Sequence, residues 1–219
     1  MERIDLGEET GTKRTFVWAL DWPGWCRVSK DTALAIESLI EHGPRYAVVA
    51  RQAGLELPEV SAVKLHALET VPGGAGTDFG VPSALTDHDR LATTAAEARR
   101  LASLVEAAWI VFDRVAADAP PELRKGPRGG GRDRDKMIGH VIEADHAYAR
   151  EMGVKLPTPS FEDRAAVEAE RAAMLDVLRR PSDGSPLAGR RWMPRYAARR
   201  IAWHALDHAW EMEDRTEGP

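Results

Sequence analysis

The chain has 219 residues, of which 43% are hydrophobic and 30% are charged, and its formal net charge is -5. This composition is ordinary for a globular protein and supplies enough apolar side chains for a sizeable core. The acidic balance argues against a general nucleic-acid binder. The single cysteine, Cys26, excludes an intramolecular disulfide framework and a multi-cysteine zinc site.

Targeting signals are not evident in the sequence. The first residues lack the apolar core of a signal peptide. No later segment has the ~18 uninterrupted apolar residues that a spanning helix requires. We therefore expect a cytoplasmic protein that does not interact with a membrane.

The first third of the sequence has the pattern of a small α/β unit. Residues 15–20 are rich in β-branched and aromatic side chains and are followed by a Pro-Gly pair, which indicates a strand and a turn. Helices are predicted at 32–41 and at about 44–53. Residues 60–70 resemble a further strand.

The pattern changes after the glycine- and proline-rich segment 72–82, and we place the domains at 1–82 and 90–219. Beyond this boundary, long stretches carry apolar residues at helical spacing between capping residues, glycines and prolines. The predicted fold class is α+β, with a small α/β domain followed by a four-helix bundle. The four long helices are predicted at about 94–117, 132–152, 161–178 and 194–214.

Two histidines on the last predicted helix have the spacing of a metal site. His204 and His208 are four residues apart, so both imidazoles lie on one helix face and can approach a single ion. His140 falls in the apolar stripe of the second long helix at a compatible depth. Three buried imidazoles need partners for their ring nitrogens, and one cation would satisfy all three. The alternative is three separate core histidines, each hydrogen-bonded to a neighbouring carbonyl.

The chemistry of three neutral nitrogen ligands favours zinc, with nickel and iron(II) as alternatives. Such a site leaves coordination positions open, as in a catalytic rather than a structural metal centre. Asp207 and Glu143 are candidate acceptors that would fix the tautomers of the imidazoles, although both are more often solvated charges. His146, six residues after His140, is expected to be exposed on another face of its helix.

Two clusters of arginines precede the helices that carry the histidines. In one interpretation, Arg128, Arg132 and Arg134 bind a carboxylate or phosphate of a thiol cofactor or substrate near a helix amino terminus. In the other, they belong to a solvated loop paired with Asp133 and Asp135. The second cluster begins the last helix, and we expect it to form structural ion pairs. Its members are Arg190, Arg191, Arg195, Arg199 and Arg200.

The segment from about residue 91 to 215 resembles the DinB/YfiT-like superfamily. The resemblance is carried by His140 in Ile-Gly-His-Val and by the run Ala-Trp-His-Ala-Leu-Asp-His-Ala-Trp-Glu at 202–211. It implies a four-helix bundle with up-down-down-up topology and a divalent metal site formed by His140, His204 and His208. It also implies thiol chemistry, because relatives include transferases and isomerases that use bacillithiol, mycothiol or glutathione.

The amino-terminal third is similar to a different family. Residues 19–26 and the helix predicted after them resemble the small α/β fold of HicB-like antitoxins. The bundle takes the place of the DNA-binding tail of such antitoxins, so repressor activity does not transfer. We expect this domain to cap the bundle or to gate access of a substrate.

Two functions follow from these observations. The first is a metal-dependent thiol transferase or hydrolase, in which the three-histidine site activates a thiol or water for transfer, isomerisation or hydrolysis of a small molecule. A low-molecular-weight thiol would be its second cofactor. The alternative is a noncatalytic metal-binding or stress-related binding protein. The expected partners are a small-molecule substrate and a second copy of the chain, and no nucleic acid.

Overall fold

The computed structural model describes residues 3–59, 64–126 and 130–216. Within these ranges the protein has one four-stranded sheet and seven α-helices, which confirms the α+β fold class. The strands are β1 (Arg3–Thr10), β2 (Thr15–Ala19), β3 (Cys26–Ser29) and β4 (Lys64–Pro72). The helices are α1 (Thr32–Glu41), α2 (Gly43–Gln52), α3 (Ala75–Phe79), α4 (Ala95–Asp118), α5 (Arg134–Glu151), α6 (Arg164–Leu178) and α7 (Pro194–Thr216).

The sheet has the strand order β3-β2-β1-β4. Strands β1 and β2 are antiparallel, as are β2 and β3, whereas β4 pairs with β1 in parallel. A parallel neighbour requires a crossover, and α1 and α2 lie in the chain between β3 and β4. The sequence predicted β2 and the described part of β4, but not β1 or β3. The second predicted strand starts at residue 60, but residues 60–63 lie outside the described residues.

Each face of the sheet packs against helical residues. Val17 belongs to the large hydrophobic core together with Ile201 of α7. On the other face, Phe16 meets Trp203 of α7 edge to face, with 6.1 Å between the ring centroids. The large core therefore includes residues from both predicted domains, and the division at 1–82 and 90–219 stays a prediction.

The four long helices form a ring of contacts in the order α4-α7-α5-α6. Helix α4 packs against α7 and α6, and α5 also packs against α7 and α6. Nearly every residue of α7 from Pro194 to Met212 is buried, because the sheet, α4 and α5 surround this helix. The arrangement brings α5 and α7 side by side. None of the helices in the described ranges is both long and apolar enough to cross a membrane.

The predicted bounds of the long helices are accurate to within about three residues. The largest difference is at α6, which starts at Arg164 rather than near 161. Its start is set by Asp163, whose side chain accepts a hydrogen bond from the backbone N–H of Ala166 at 3.0 Å. Such a cap satisfies one of the otherwise unpaired N–H groups of the first turn.

Ion pairs attach the arginine-rich start of α7 to its neighbours. Arg199 donates to Asp89 at 2.7 Å, and both side chains are almost fully buried. The guanidinium of Arg199 also lies 4.2 Å from the ring centroid of Trp18. Two further pairs join Arg195 to Glu97 and Arg190 to Glu151. The structural ion pairs expected for this cluster are thus confirmed for Arg190, Arg195 and Arg199.

A buried aspartate lies where α5 meets α6. Asp145 is 2% exposed, and its Oδ2 atom is 3.7 Å from Nε of Arg171. The polar neighbours of this carboxylate are the guanidinium of Arg171 and the indole N–H of Trp109. Burial raises the pKa of Asp145 to about 7, and the nearby charge of Arg171 offsets only part of this effect.

We predict that Asp145 makes the free energy of unfolding depend on pH. The folded protein retains the carboxyl proton up to about pH 7, whereas the reference pKa of this group is 3.8. Between these values the folded state binds more protons than the unfolded state, so stability falls as the pH rises.

Urea unfolding of the wild type and Asp145→Asn at several pH values measures this effect. The stability of the wild type relative to the variant should decrease from pH 4 to pH 7 and then level off. Asp176→Asn, which removes an exposed carboxylate from α6, is the control and should give no such decrease. A constant difference between the wild type and Asp145→Asn across this range would contradict the prediction.

Candidate metal centre

The three predicted histidines meet between α5 and α7. The Nε2 atoms of His140 and His204 are 3.2 Å apart. The ring centroid of His140 is 5.0 Å from that of His204 and 5.0 Å from that of His208, and the latter two are 4.7 Å apart. One ring nitrogen from each residue lies within 4.8 Å of the others. The structure therefore brings together three side chains from positions 64 and 68 residues apart in the sequence.

Helix α7 is supported from the side opposite its histidines. Ala202 and Leu206 are offset by two residues from His204 and His208, so they lie on the opposite face of the helix. Gly24, with φ of +92°, packs against that face. A Cβ atom at position 24 would lie 2.7 Å from Cδ1 of Leu206 and 3.0 Å from Cβ of Ala202. The glycine thus permits a close approach that holds α7 in place behind the imidazoles.

Two of the three imidazoles, those of His140 and His204, are in an environment that disfavours their protonation. His204 is 7% exposed and His208 is 8% exposed, whereas His140 is partly exposed. Burial lowers the pKa of His140 to about 4, and the charge of Arg132 contributes. Burial also lowers the pKa of His204 well below its ordinary value. Both rings are therefore neutral at pH 7 and have lone pairs available for a cation.

A carboxylate on α7 holds the third imidazole. The Nδ1 atom of His208 is 3.1 Å from Oε2 of Glu211, and Oε1 of Glu211 accepts a hydrogen bond from Arg215 at 2.8 Å. A proton on Nδ1 of His208 would be donated to this carboxylate, which leaves Nε2 as the lone-pair nitrogen. Glu211 was not among the acceptors predicted from the sequence. The three-residue spacing from His208 is the signal that could have found it.

The other candidate acceptors are engaged elsewhere or exposed. Asp207 forms an ion pair with Arg27 at 3.5 Å. Glu143 is exposed and makes no hydrogen bond to the three rings in the described structure. The Nδ1 atom of His204 is buried and has no hydrogen-bond partner among the described residues. Of the three imidazoles, His208 is thus the one that a carboxylate orients.

His146 is not exposed, so that expectation is wrong. Its side chain is 13% exposed. The Nδ1 atom is 2.6 Å from Oε1 of the buried Glu170, and Nε2 is 3.1 Å from the hydroxyl of Thr158. The packing of α5 against α6 covers the helix face that carries His146. This histidine joins α5 to α6 and does not belong to the three-histidine cluster.

The donor set fits a divalent transition metal. Two imidazole nitrogens that bind one tetrahedral zinc at 2.0–2.1 Å are about 3.3 Å apart, a separation close to the 3.2 Å between His140 and His204. The cluster offers nitrogen donors, which suit zinc, nickel and iron better than magnesium or calcium. Two of the three donors are neutral at pH 7, so protons do not compete strongly with a cation.

The three arginines predicted to bind an anion have different positions. Arg128 lies outside the described residues. Arg132 is exposed, and its charge acts on both His140 and His204. Arg134 instead donates to Asp135 at 2.8 Å and to the backbone oxygen of Ala119, just after the end of α4, at 3.1 Å. Arg132 is therefore electrostatically coupled to the cluster, while Arg134 is engaged at the carboxyl end of α4.

Aromatic side chains line another flank of the cluster. The ring centroid of Tyr148 is 5.8 Å from that of His204. Trp192 follows at 5.0 Å from Tyr148, and Tyr196 at 5.1 Å from Trp192. The guanidinium carbon of Arg200 lies 5.5 Å from the ring centroid of Tyr148. A ligand beside His204 would thus find aromatic surface and one cation.

Comparisons of this chain with protein-family models, with curated proteins and with solved structures found no match.

We predict that replacing Glu211 with glutamine weakens metal binding. The variant loses the charged acceptor for the Nδ1 proton of His208, and loss of such a partner typically lowers metal affinity by about 10-fold to 100-fold. Competition titrations of zinc or cobalt against a chelator would measure the change.

Glu143→Gln provides a matched control. Glu143 follows His140 by three residues, as Glu211 follows His208, but it is exposed and makes no hydrogen bond to an imidazole in the described structure. Its replacement removes the same charge and should leave the affinity unchanged. Equal losses in the two variants would show that net charge, and not orientation of His208, determines the affinity.

Proposed function

We propose that this protein is a metal-dependent enzyme whose divalent ion is held by His140, His204 and His208. Zinc is the preferred ion, with nickel and iron(II) as alternatives. The observation that carries the proposal is the 3.2 Å separation between the Nε2 atoms of His140 and His204, two imidazoles that are neutral at pH 7. An unligated pair can share only one hydrogen bond at this distance, whereas a shared cation uses both lone pairs.

The proposed reaction is transfer, isomerisation or hydrolysis of a small molecule. A divalent ion with three protein ligands acts as a Lewis acid and lowers the pKa of a water or thiol at its open position. Neighbouring residues of the chain would keep the histidines of this centre in one arrangement. Glu211 keeps the Nδ1 proton of His208, Arg215 holds Glu211, and the partial exposure of His140 provides access from solvent.

The fold assignment belongs to the same proposal. We infer that α4, α5, α6 and α7 form a DinB-like bundle with up-down-down-up topology. The support is the ring of contacts between these helices and the location of the three histidines on α5 and α7. This assignment favours a low-molecular-weight thiol as the second cofactor.

The proposed metal site predicts the metal content of the purified protein. Protein purified without an affinity tag should contain about one equivalent of a divalent metal, and His204→Ala should lose it because two ligands remain. Elemental analysis measures the content. His66→Ala is the control, since His66 is part of the sheet and pairs with Asp5. Equal metal content in the wild type and His204→Ala would contradict the proposed metal centre.

The enzyme proposal makes a second prediction. Metal-loaded protein should transfer or consume a thiol from a panel that contains bacillithiol, mycothiol and glutathione, while metal-free protein should not. The difference is expected because only the loaded protein can stabilise a thiolate at neutral pH. Loss of free thiol in the presence of an electrophile measures the reaction. The same response with and without metal would contradict thiol transfer, and metal binding with no turnover would favour the noncatalytic alternative.

A further inference from the structure

Arg200 differs from the two buried arginines at the start of α7, Arg195 and Arg199. Arg195 and Arg199 have acidic partners, whereas Arg200 has no carboxylate within 4.0 Å in the described part of the chain. Its hydrogen bond to the backbone oxygen of Pro82 is long, at 3.4 Å. A guanidinium has five N–H donors in a planar fork, and the polar contacts of Arg200 with the Pro82 oxygen and the Tyr148 hydroxyl leave most of them without a protein partner in the described part of the chain. The half-buried charge therefore lacks the compensation that its neighbours have.

The position of Arg200 relates it to the metal centre. It lies one helical turn before His204, and residues four apart share a helix face. Both side chains contact the same ring: the guanidinium carbon is 5.5 Å from the ring centroid of Tyr148, and the ring centroid of His204 is 5.8 Å from it. The charge of Arg200 also contributes to the lowered pKa of His204. Arg200 is thus linked to the candidate site through the ring of Tyr148, which both side chains contact.

Aromatic contacts limit how the guanidinium can be approached. Its carbon lies 4.8 Å from the ring centroid of Trp203 as well as 5.5 Å from that of Tyr148. Cation–π contacts of this kind hold the side chain but do not neutralise its charge or use its N–H donors. The donors remain suited to a planar, bidentate partner, and a carboxylate is such a partner.

We propose that Arg200 binds a carboxylate group of the small molecule that reacts at the three-histidine centre. This inference rests on the proposed function, and it assigns the substrate or thiol cofactor to the class of carboxylic acids. A half-buried cation gains more from an anionic ligand than a solvated cation does, because less water competes for it. Arg200 would orient the ligand, while the reacting group would be at the metal.

The basic loop before α5 is a less suitable anchor. Arg132 is exposed, and a carboxylate contact in water contributes little. Arg215, which lines a cavity of about 610 Å³ next to this loop, already donates to the backbone oxygens of Arg124 and Arg132 and to Glu211. These bonds attach the loop to α7. In contrast, Arg200 has no acidic partner among the described residues.

The experiment uses cobalt(II)-loaded protein and two thiols of similar size. Mercaptoacetate carries a carboxylate, whereas 2-mercaptoethanol carries a neutral hydroxyl in its place. Binding of either thiolate to cobalt produces a charge-transfer absorption band, which gives a dissociation constant without any measurement of activity. The quantity to compare is the ratio of the two constants within each variant. Because chelation of cobalt by the carboxylate is common to all variants, it cancels in this comparison.

Arg200→Gln should reduce the preference for mercaptoacetate by about 10-fold or more, since the lost hydrogen bonds join two charged groups. Arg200→Lys keeps the charge but loses the bidentate fork, and it should retain part of the preference. Arg132→Gln is the control for the competing anchor in the basic loop, because it removes the same charge from a residue that, like Arg200, acts on His204. This control should keep the wild-type ratio.

The outcomes separate the inference from the proposed function. If the wild type does not bind cobalt, or binds it without taking up either thiol, the proposed function fails. If cobalt and thiols bind but the ratio is the same in the wild type, Arg200→Gln and Arg200→Lys, the inference about Arg200 is wrong. A ratio that falls in Arg132→Gln and persists in Arg200→Gln would move the anchor to the basic loop and also overturn the inference.

Discussion

The burial of nearly every residue of α7 from Pro194 to Met212 is the constraint on which the rest of the structure depends. The sheet covers Trp203, α4 and α5 pack along the helix, and the turn at Gly24 presses on Ala202 and Leu206. A helix enclosed in this way cannot rotate without loss of packing on several faces at once. The direction in which its two histidines point is therefore fixed by contacts far from the imidazoles themselves.

Burial and nearby charges also determine the protonation state of two imidazoles in the cluster, those of His140 and His204. The cluster lies among several cations, and burial together with these charges keeps His140 and His204 neutral. A neutral imidazole is a metal ligand, whereas a protonated one is not. The same surroundings contain one acid, Glu211, in contact with the cluster through His208. Little negative charge therefore surrounds the three rings, so a cation bound there would keep its positive charge available to an anionic ligand.

Much of this arrangement could be predicted from local sequence patterns. The spacing of His204 and His208 placed them on one face of a helix, and His140 was predicted from the apolar stripe of α5. The long helices were predicted because their apolar periodicity and caps are local signals. Strands β1 and β3 were missed for a physical reason. Glu8 and Glu9 interrupt the apolar pattern of β1, and Glu9 is buried only because Thr77 and the backbone N–H groups of residues 83 and 84 bind its carboxylate.

The roles of individual charged residues were harder to predict, since they depend on tertiary neighbours. Within one arginine cluster, Arg199 has Asp89 as its partner and Arg200 has none among the described residues, yet the two are adjacent in sequence. Only the approach of the segment around Asp89 to α7 distinguishes them. Similarly, His146 is mostly covered because α6 packs against α5 and places Glu170 beside its ring.

The absence of a side chain at position 24 has a mechanical consequence. Any larger residue there would have to push Leu206 and Ala202 aside, and these residues belong to the same rigid helix as the imidazoles. A displacement of α7 by a few tenths of an ångström would alter the 3.2 Å separation between His140 and His204. A tight turn in the amino-terminal sheet region thus limits, from the opposite face of α7, how far apart the rings of His140 and His204 lie.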